Sequence, residues 1–240
     1  MKRTVEPELL DRLPADDAGA IGSRRDLQRL NWWMGHAGKL ARALRTARDG
    51  KPPKTIVELG AGYGKLMLRV ASRLGSGWKG VRLVFVDRVK LVAPETVRRF
   101  GQLGWEVVNE EADVLEWLEQ ARSCDVMIAN LFLHHFIDGE LRELLGRAAA
   151  LTDLFVAAEP PRGKWPLALC NALATVACNH VTRHDAPISI RAGFAGKELS
   201  ELWPANRDWT LEERTAGIVS HLFVARRILR QEFSESVRPE

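Results

Sequence analysis

The chain has 240 residues, 46% apolar and 28% charged, with a formal net charge of +4. Those proportions belong to a folded globular protein and exclude disordered and fibrous classes; the length suits one large domain rather than two independent enzyme domains. No run approaches the ~18 apolar residues of a membrane span. The opening MKRTVEPELLDRLPADD lacks the apolar centre of a secretory signal. Three cysteines, Cys124, Cys170 and Cys178, match no CxxC spacing. The expectation is a soluble, cytoplasmic protein with reduced thiols.

Residues 1–22, with Pro7, Pro14, Gly19 and Gly22, read as irregular. Ser23 and Asp26 have the form of a capping box, after which Leu27, Leu30, Trp33, Ala37, Leu40 and Leu44 recur at helical spacing. Gly35 and Gly38 predict a break into two helices, and GKPPK at 50–54 stops the second. Residues 1–54 form an expected N-terminal helical cap or arm. They hold 12 Lys/Arg against 7 Asp/Glu. That surplus suits a nucleic-acid or anionic surface, or simply a solvated helix face.

From residue 55 apolar runs alternate with helical patterns. Strands are predicted at 55–59, 81–86, 105–109, 125–129 and 154–158. Helices are predicted to about 74 and at 93–103, 114–120 and 139–150. Such βα alternation means a parallel sheet with helices on both faces, doubly wound by right-handed crossovers. Pro166 suits the first turn of a helix to about 179. The stretch 180–207 reads as loop-rich. Two strands, 209–215 and 218–227, flank a short turn with Gly217 and predict an antiparallel hairpin. The main domain is expected over 55–230, with 160–207 covering a site and 231–240 as a tail.

The sharpest motif is Val57-Glu58-Leu59-Gly60-Ala61-Gly62-Tyr63-Gly64, at the first strand-to-helix junction. Glycines there let the backbone approach a ligand, and open α/β sheets bind at the carboxyl ends of their strands. A dinucleotide fingerprint needs a small third residue at position 65, which is Lys. Glu58 would repel a pyrophosphate and attract an ammonium group. No GxxxxGK[ST] occurs. Asp87 ends the second strand, where a carboxylate can take both hydroxyls of a ribose. Asp113 precedes Val114 after the third strand, equally placed to take an exocyclic amine or to cap a helix. NLFLHHFID, 130–138, follows the fourth strand.

Together these residues resemble the class I S-adenosylmethionine-dependent methyltransferases, and the NLFLHHFID segment is similar to that of the small-molecule group. The resemblance implies a seven-stranded sheet of order 3-2-1-4-5-7-6 with strand 7 antiparallel, and S-adenosylmethionine as cofactor. It implies that Glu58, Gly60, Ala61 and Gly62 line the methionine end, that Asp87 holds the ribose, that Asp113 with Val114 holds adenine, and that Asn130 and Leu131 meet the methionine through backbone.

Methyl transfer needs alignment above all, with a base only for a weakly acidic acceptor. Candidate bases are His134 and His135 after strand 4, and His184 beside Asp185. His180, His221 and His36, the last on the N-terminal helix, are further candidates, with His221 read rather as structural. No Asn/Asp-Pro-Pro-aromatic motif follows strand 4, and Glu159-Pro160-Pro161 after strand 5 lacks the aromatic. No Cys/His cluster at ligand spacing suggests a metal. Trp32, Trp33, Met34, Trp165, Phe194 and Trp203 are candidate walls of an apolar acceptor pocket. The leading expectation is a methyltransferase acting on a small organic molecule, at oxygen of a phenolic or other apolar metabolite. The alternatives are an RNA methyltransferase that grips phosphate with the basic arm, and a non-catalytic cofactor-binding module.

Overall fold

The computed structural model describes residues 1–205 and 208–228, with backbone only at 171–177; the expected tail at 231–240 lies outside the described residues. In chain order the elements are α1 (Ala18–Trp33), α2 (His36–Ala47), β1 (Thr55–Leu59), α3 (Lys65–Leu74), β2 (Arg82–Asp87), α4 (Pro94–Gln102), β3 (Glu106–Glu111), α5 (Val114–Gln120), β4 (Cys124–Asn130), α6 (Asp138–Leu151), β5 (Thr152–Glu159), α7 (Lys164–Ala177), α8 (His180–Ala192), α9 (Glu198–Leu202), β6 (Trp209–Thr215) and β7 (His221–Arg227). The sheet runs β3-β2-β1-β4-β5-β7-β6, as the resemblance implies. β7 lies antiparallel between β5 and β6, and all other pairs are parallel.

The period of two along the central strands builds two cores. Ile56, Val126, Ile128, Leu154 and Val156 face one side, with Leu40, Leu44, Met67 and Phe100 of α2, α3 and α4. Val57, Met127, Ala129, Phe155 and Ala157 face the other, with Leu141, Leu144 and Leu145 of α6. α2 is thus one of the helices that cover the sheet. Among the described residues no helix is long and apolar enough to cross a membrane.

Three local expectations need correction. Asp17, not Ser23, caps α1, its carboxylate accepting from the Ala20 N–H at 2.9 Å. Ser23 and Asp26 lie buried inside the helix. There Asp26 accepts from the Asn179 N–H (2.8 Å) and the Thr182 hydroxyl (3.0 Å), joining α1 to α8. Second, 180–207 is not loop-rich, since α8 and α9 occupy much of it. Pro187 and the polar residues hide α8 in the sequence, but Val181, Asp185, Ile188 and Ala192 form a buried stripe at helical spacing, and packing outweighs propensity. Third, the last strand begins at His221 rather than 218, after a turn closed by the Ala216 N–H on the Ser220 carbonyl at 2.8 Å. The break after Trp33 falls where expected, with Gly35 at φ +68°.

Candidate active site

The carboxyl end of β1 runs into the glycine turn. Gly60 has φ +69°, and a Cβ there would stand 2.3 Å from a ring carbon of Phe132, so only glycine fits. Gly62 has φ +52°, but nothing lies within 4 Å of where its Cβ would be. Gly62 instead lines a cavity of about 740 Å³, within the roughly 300–1,000 Å³ of small-molecule sites. The Gly62 N–H donates to Asp87 Oδ2 at 2.8 Å, and the Val89 N–H to Oδ1 at 3.0 Å, so Asp87 at the end of β2 holds the turn in place.

Of the residues proposed to hold a cofactor, Gly60, Gly62, Asp87, Val114 and Leu131 line this cavity. Glu58, Ala61, Asp113 and Asn130 are not among the lining residues. Glu58 is 2% exposed, and one of its carboxyl oxygens has no hydrogen-bond partner. Burial, with the Asp87 charge adding to it, holds this carboxyl well above the usual carboxylate range. Asp113 caps α5, Oδ1 accepting from the Leu115 N–H at 2.8 Å, and pairs with Arg88 at 2.5 Å through Oδ2. Both of its oxygens are therefore engaged within the protein.

β4 ends at Asn130, and Leu131 follows with φ +50°, a conformation that costs a non-glycine residue roughly 1–2 kcal/mol. Several bonds hold it there. The Leu131 N–H donates to the Ala158 carbonyl at 3.0 Å. The Phe132 and Leu133 N–H groups both donate to Glu159 Oε1 at 3.0 Å. Glu159, fully buried at the end of β5, turns its other oxygen to His134 Nδ1 at 2.8 Å. His135 Nδ1 lies 2.9 Å from the Phe132 carbonyl, which only accepts, so Nδ1 carries a proton and donates it.

The other nitrogen of each ring faces Glu8, which arrives from the N-terminal arm. His134 Nε2 is 3.5 Å from Glu8 Oε1, and His135 Nε2 is 3.5 Å from Glu8 Oε2 and 3.9 Å from Asp11. Glu8 Oε1 also accepts from the Ser189 hydroxyl of α8. Burial alone would lower the His134 pKa, but the hydrogen bonds and charges of Glu159 and Glu8 outweigh it and push it up to about 9. Burial likewise opposes ionisation of Glu8, yet His134 and His135 hold its carboxyl well below the usual range. At neutral pH His134 is thus an imidazolium between two carboxylates and no proton acceptor, whereas His135 stands on the cavity wall with Nε2 toward Glu8 and Asp11.

The arm is tied down by more than Glu8. Arg3 donates to the carbonyls of Ala192 (2.8 Å) and Phe136 (2.8 Å) and pairs with Asp138 at 2.7 Å. The Leu9 and Leu10 N–H groups donate to Asp185 at 2.8 and 3.0 Å. Part of the basic surplus of the arm is therefore spent inside the molecule. His184 is half-exposed, with Nδ1 2.8 Å from Asp185, and is not among the residues lining the cavity.

Behind the site, His36 is fully buried. Its Nδ1 lies 2.6 Å from Asn130 Oδ1 and its Nε2 2.8 Å from Ser220 Oγ, which also accepts from Lys39 Nζ at 2.8 Å. Asn130 Nδ2 in turn donates to Asn31 Oδ1 at 3.1 Å. Each group has one role only if Ser220 donates to Nε2 and Nδ1–H donates to Asn130. Burial is the main cause that lowers the His36 pKa, to about 4.

Of the aromatic wall expected from the sequence, Trp33 and Met34 line the cavity, together with Leu10, Leu27 and Leu30. Trp32 and Trp165 are exposed. Phe194 and Trp203 are core residues, Trp203 packing against Phe155, Trp209 and Phe223. Sequence reasoning missed Glu8 and Glu159. Glu8 lies in a segment without periodicity, and only the buried end of β5 marks Glu159.

No family profile and no curated protein matches the chain. Solved structures do match in fold. The plantazolicin methyltransferase BpumL in complex with SAH superposes with a TM-score of 0.61 at 11% identity, over 88% of this chain and 91% of that one. The mitomycin 7-O-methyltransferase MmcR superposes with a TM-score of 0.56 at 16% identity, over 91% of this chain and 60% of that one. An O-methyltransferase family protein from Burkholderia thailandensis gives 0.51 at 15%, over 92% and 76%. The chain has the fold these methyltransferases share.

Proposed function

We propose that this protein is an S-adenosylmethionine-dependent methyltransferase of a small, largely apolar organic acceptor. The observation that carries the reading is the glycine turn. Gly62 opens onto the cavity where a side chain would otherwise stand, Asp87 ends the adjacent strand, and a buried Glu58 oxygen waits without a partner. These groups suit a ligand that offers an ammonium and a ribose. The SAH-bound state of a structure sharing the fold supports the same cofactor.

In this reading S-adenosylmethionine supplies an electrophilic methyl group. Glu58 and the turn at Gly60, Ala61 and Gly62 would hold its amino-acid end, together with the backbone of Asn130 and Leu131. Asp87 would take the ribose hydroxyls, since a carboxylate oxygen already accepting one N–H keeps a further lone pair. Val114, beside Ala112 and Leu115, would receive the adenine, while Asp113 orients that segment as the helix cap. Leu10, Leu27, Leu30, Trp33 and Met34 exclude water and present an apolar surface to the acceptor. Of the candidate histidines, His134 and His135 line that cavity, and His134 already carries its proton, which leaves His135 as the candidate base. An oxygen acceptor, as the mitomycin enzyme's name states for that protein, suits such a group.

Calorimetric titration with S-adenosylhomocysteine tests the proposal, with NADH as the control and Asp87→Ala as the variant. Loss of a charged ribose contact costs about 1.5–3 kcal/mol, roughly tenfold to a hundredfold in affinity. Binding of S-adenosylhomocysteine alone, weakened to that extent, is the expected result. Binding of NADH in its place, or no binding of either, refutes the reading.

A further inference from the structure

Glu8, His134 and His135 meet on the cavity wall. Their three side chains place ligand atoms within 4.8 Å of one another. The two Nε2···Oε separations are both 3.5 Å, long for charge-assisted hydrogen bonds, which close to about 2.7–2.9 Å. They run to the two different oxygens of the carboxylate, and each is close to a tetrahedral edge, since bonds of about 2.0–2.1 Å to a zinc ion put neighbouring ligand atoms roughly 3.3–3.4 Å apart.

The surroundings are those of a metal site as well. Ligating histidines give their second nitrogen to a carboxylate or a carbonyl. His134 does so to Glu159 at 2.8 Å and His135 to the Phe132 carbonyl at 2.9 Å. Both rings are thereby oriented with Nε2 toward Glu8. The carboxylate is fixed in turn by the Ser189 hydroxyl. Glu159, Glu8 and Asp11 together make the spot favourable for a cation.

We propose that His134 Nε2, His135 Nε2 and a carboxylate oxygen of Glu8 bind one divalent transition-metal ion of the zinc type. The ion would take the place of the proton His134 carries. Two histidines and one carboxylate leave a fourth position for water or an oxygen of the acceptor. Asp11, 3.9 Å from His135 Nε2, stands beside it. The assignment makes His135 a ligand rather than a free base. It also gives the N-terminal arm a purpose, because Glu8 brings it to the histidine pair.

The experiment strips the purified protein with a chelator and titrates Zn²⁺ in competition with a chromophoric indicator, then repeats the loading with Co²⁺ and records its visible spectrum. One equivalent of Zn²⁺ and the intense bands of four-coordinate Co²⁺ are expected. Glu8→Gln and His135→Ala should each weaken Zn²⁺ at least tenfold with unchanged circular dichroism. Glu159→Gln, acting only through His134, should weaken it roughly tenfold to a hundredfold and shift the cobalt bands. Cys170 and Cys178, also on the cavity wall, are the rival ligands. Zn²⁺ binding that survives Glu8→Gln and His135→Ala but is lost in Cys170→Ser/Cys178→Ser overturns the proposal, as does no stoichiometric binding. The readout needs no cofactor, so its failure leaves the S-adenosylhomocysteine titration standing, with His135 as the base.

Discussion

His36 should make the stability of this protein fall in mild acid. In the unfolded chain a histidine takes up its proton near pH 6.5, whereas the buried ring resists until about 4. Between these values the unfolded state binds more protons, so each step toward acid favours unfolding. The neutral ring therefore contributes stability that is complete above 6.5 and is lost as the pH falls toward 4. A difference of about 2.5 units at ~1.4 kcal/mol each is roughly 3 kcal/mol, a large share of the ~5–15 kcal/mol that holds a typical domain together. Other groups also make stability depend on pH, Glu8 and Glu159 among them, whose carboxyls the fold holds low, so the measurement must be a difference. Urea unfolding followed by tryptophan fluorescence would be run on the wild type and on His36→Gln across this range. At neutral pH the variant should be less stable by about 1–3 kcal/mol, having disturbed two buried hydrogen bonds. On acidification the wild type should lose its advantage, at most one proton's worth, about 1.4 kcal/mol per pH unit. Curves that stay parallel from 6.5 to 4 would refute the placing of a neutral, buried imidazole between Asn130 and Ser220.

The two glycines of the turn should respond differently. Gly60→Ala drives a methyl group into Phe132 and should destabilise the fold by about 1–3 kcal/mol, read as a lowered thermal midpoint. Gly62→Ala meets only open space, so it should cost just the ~1–2 kcal/mol of its backbone strain while sharply reducing S-adenosylhomocysteine affinity. Asp113→Ala should cost about 1 kcal/mol through the lost helix cap and change S-adenosylhomocysteine affinity less than threefold; a tenfold loss would make this carboxylate a direct adenine ligand. His184→Ala, off the cavity, should leave that affinity unchanged in the same titration.

The sheet was legible because each central strand alternates between two cores, so a run such as Ile56-Val57-Glu58-Leu59 announces both its period and its burial. The glycine turn was legible because positive φ at Gly60 and Gly62 admits few other residues. α8 was not, since its propensity argues against a helix and packing against α1, α7 and the arm stabilises it. Glu8 illustrates the same limit more sharply. Its carboxylate matters because His134 and His135 lie beside it, and no local pattern can announce a partner so distant in the chain. Glu159 looked like part of a Pro-rich turn until its two oxygens were seen to hold the segment after β4. The tryptophans misled because Trp203 and Trp33 look alike in a sequence, although one fills the core and the other lines the cavity.

The cavity has two walls of different origin. One is made by the carboxyl ends of β1, β2 and β4 and the turns that follow them; the other by the arm, α1 and the region of α7 and α8. The second wall is itself cross-linked, through Asp26 to Asn179 and Thr182 and through Asp185 to Leu9 and Leu10. For evolution this is a form of modularity with a constraint attached. Exchange of the outer wall would leave the inner one in place, but the N-terminal segment and α8 would have to be exchanged as a set. A chimera that takes α8 from one relative and the arm from another inherits a seam of mismatched donors and acceptors across the mouth of its own binding site.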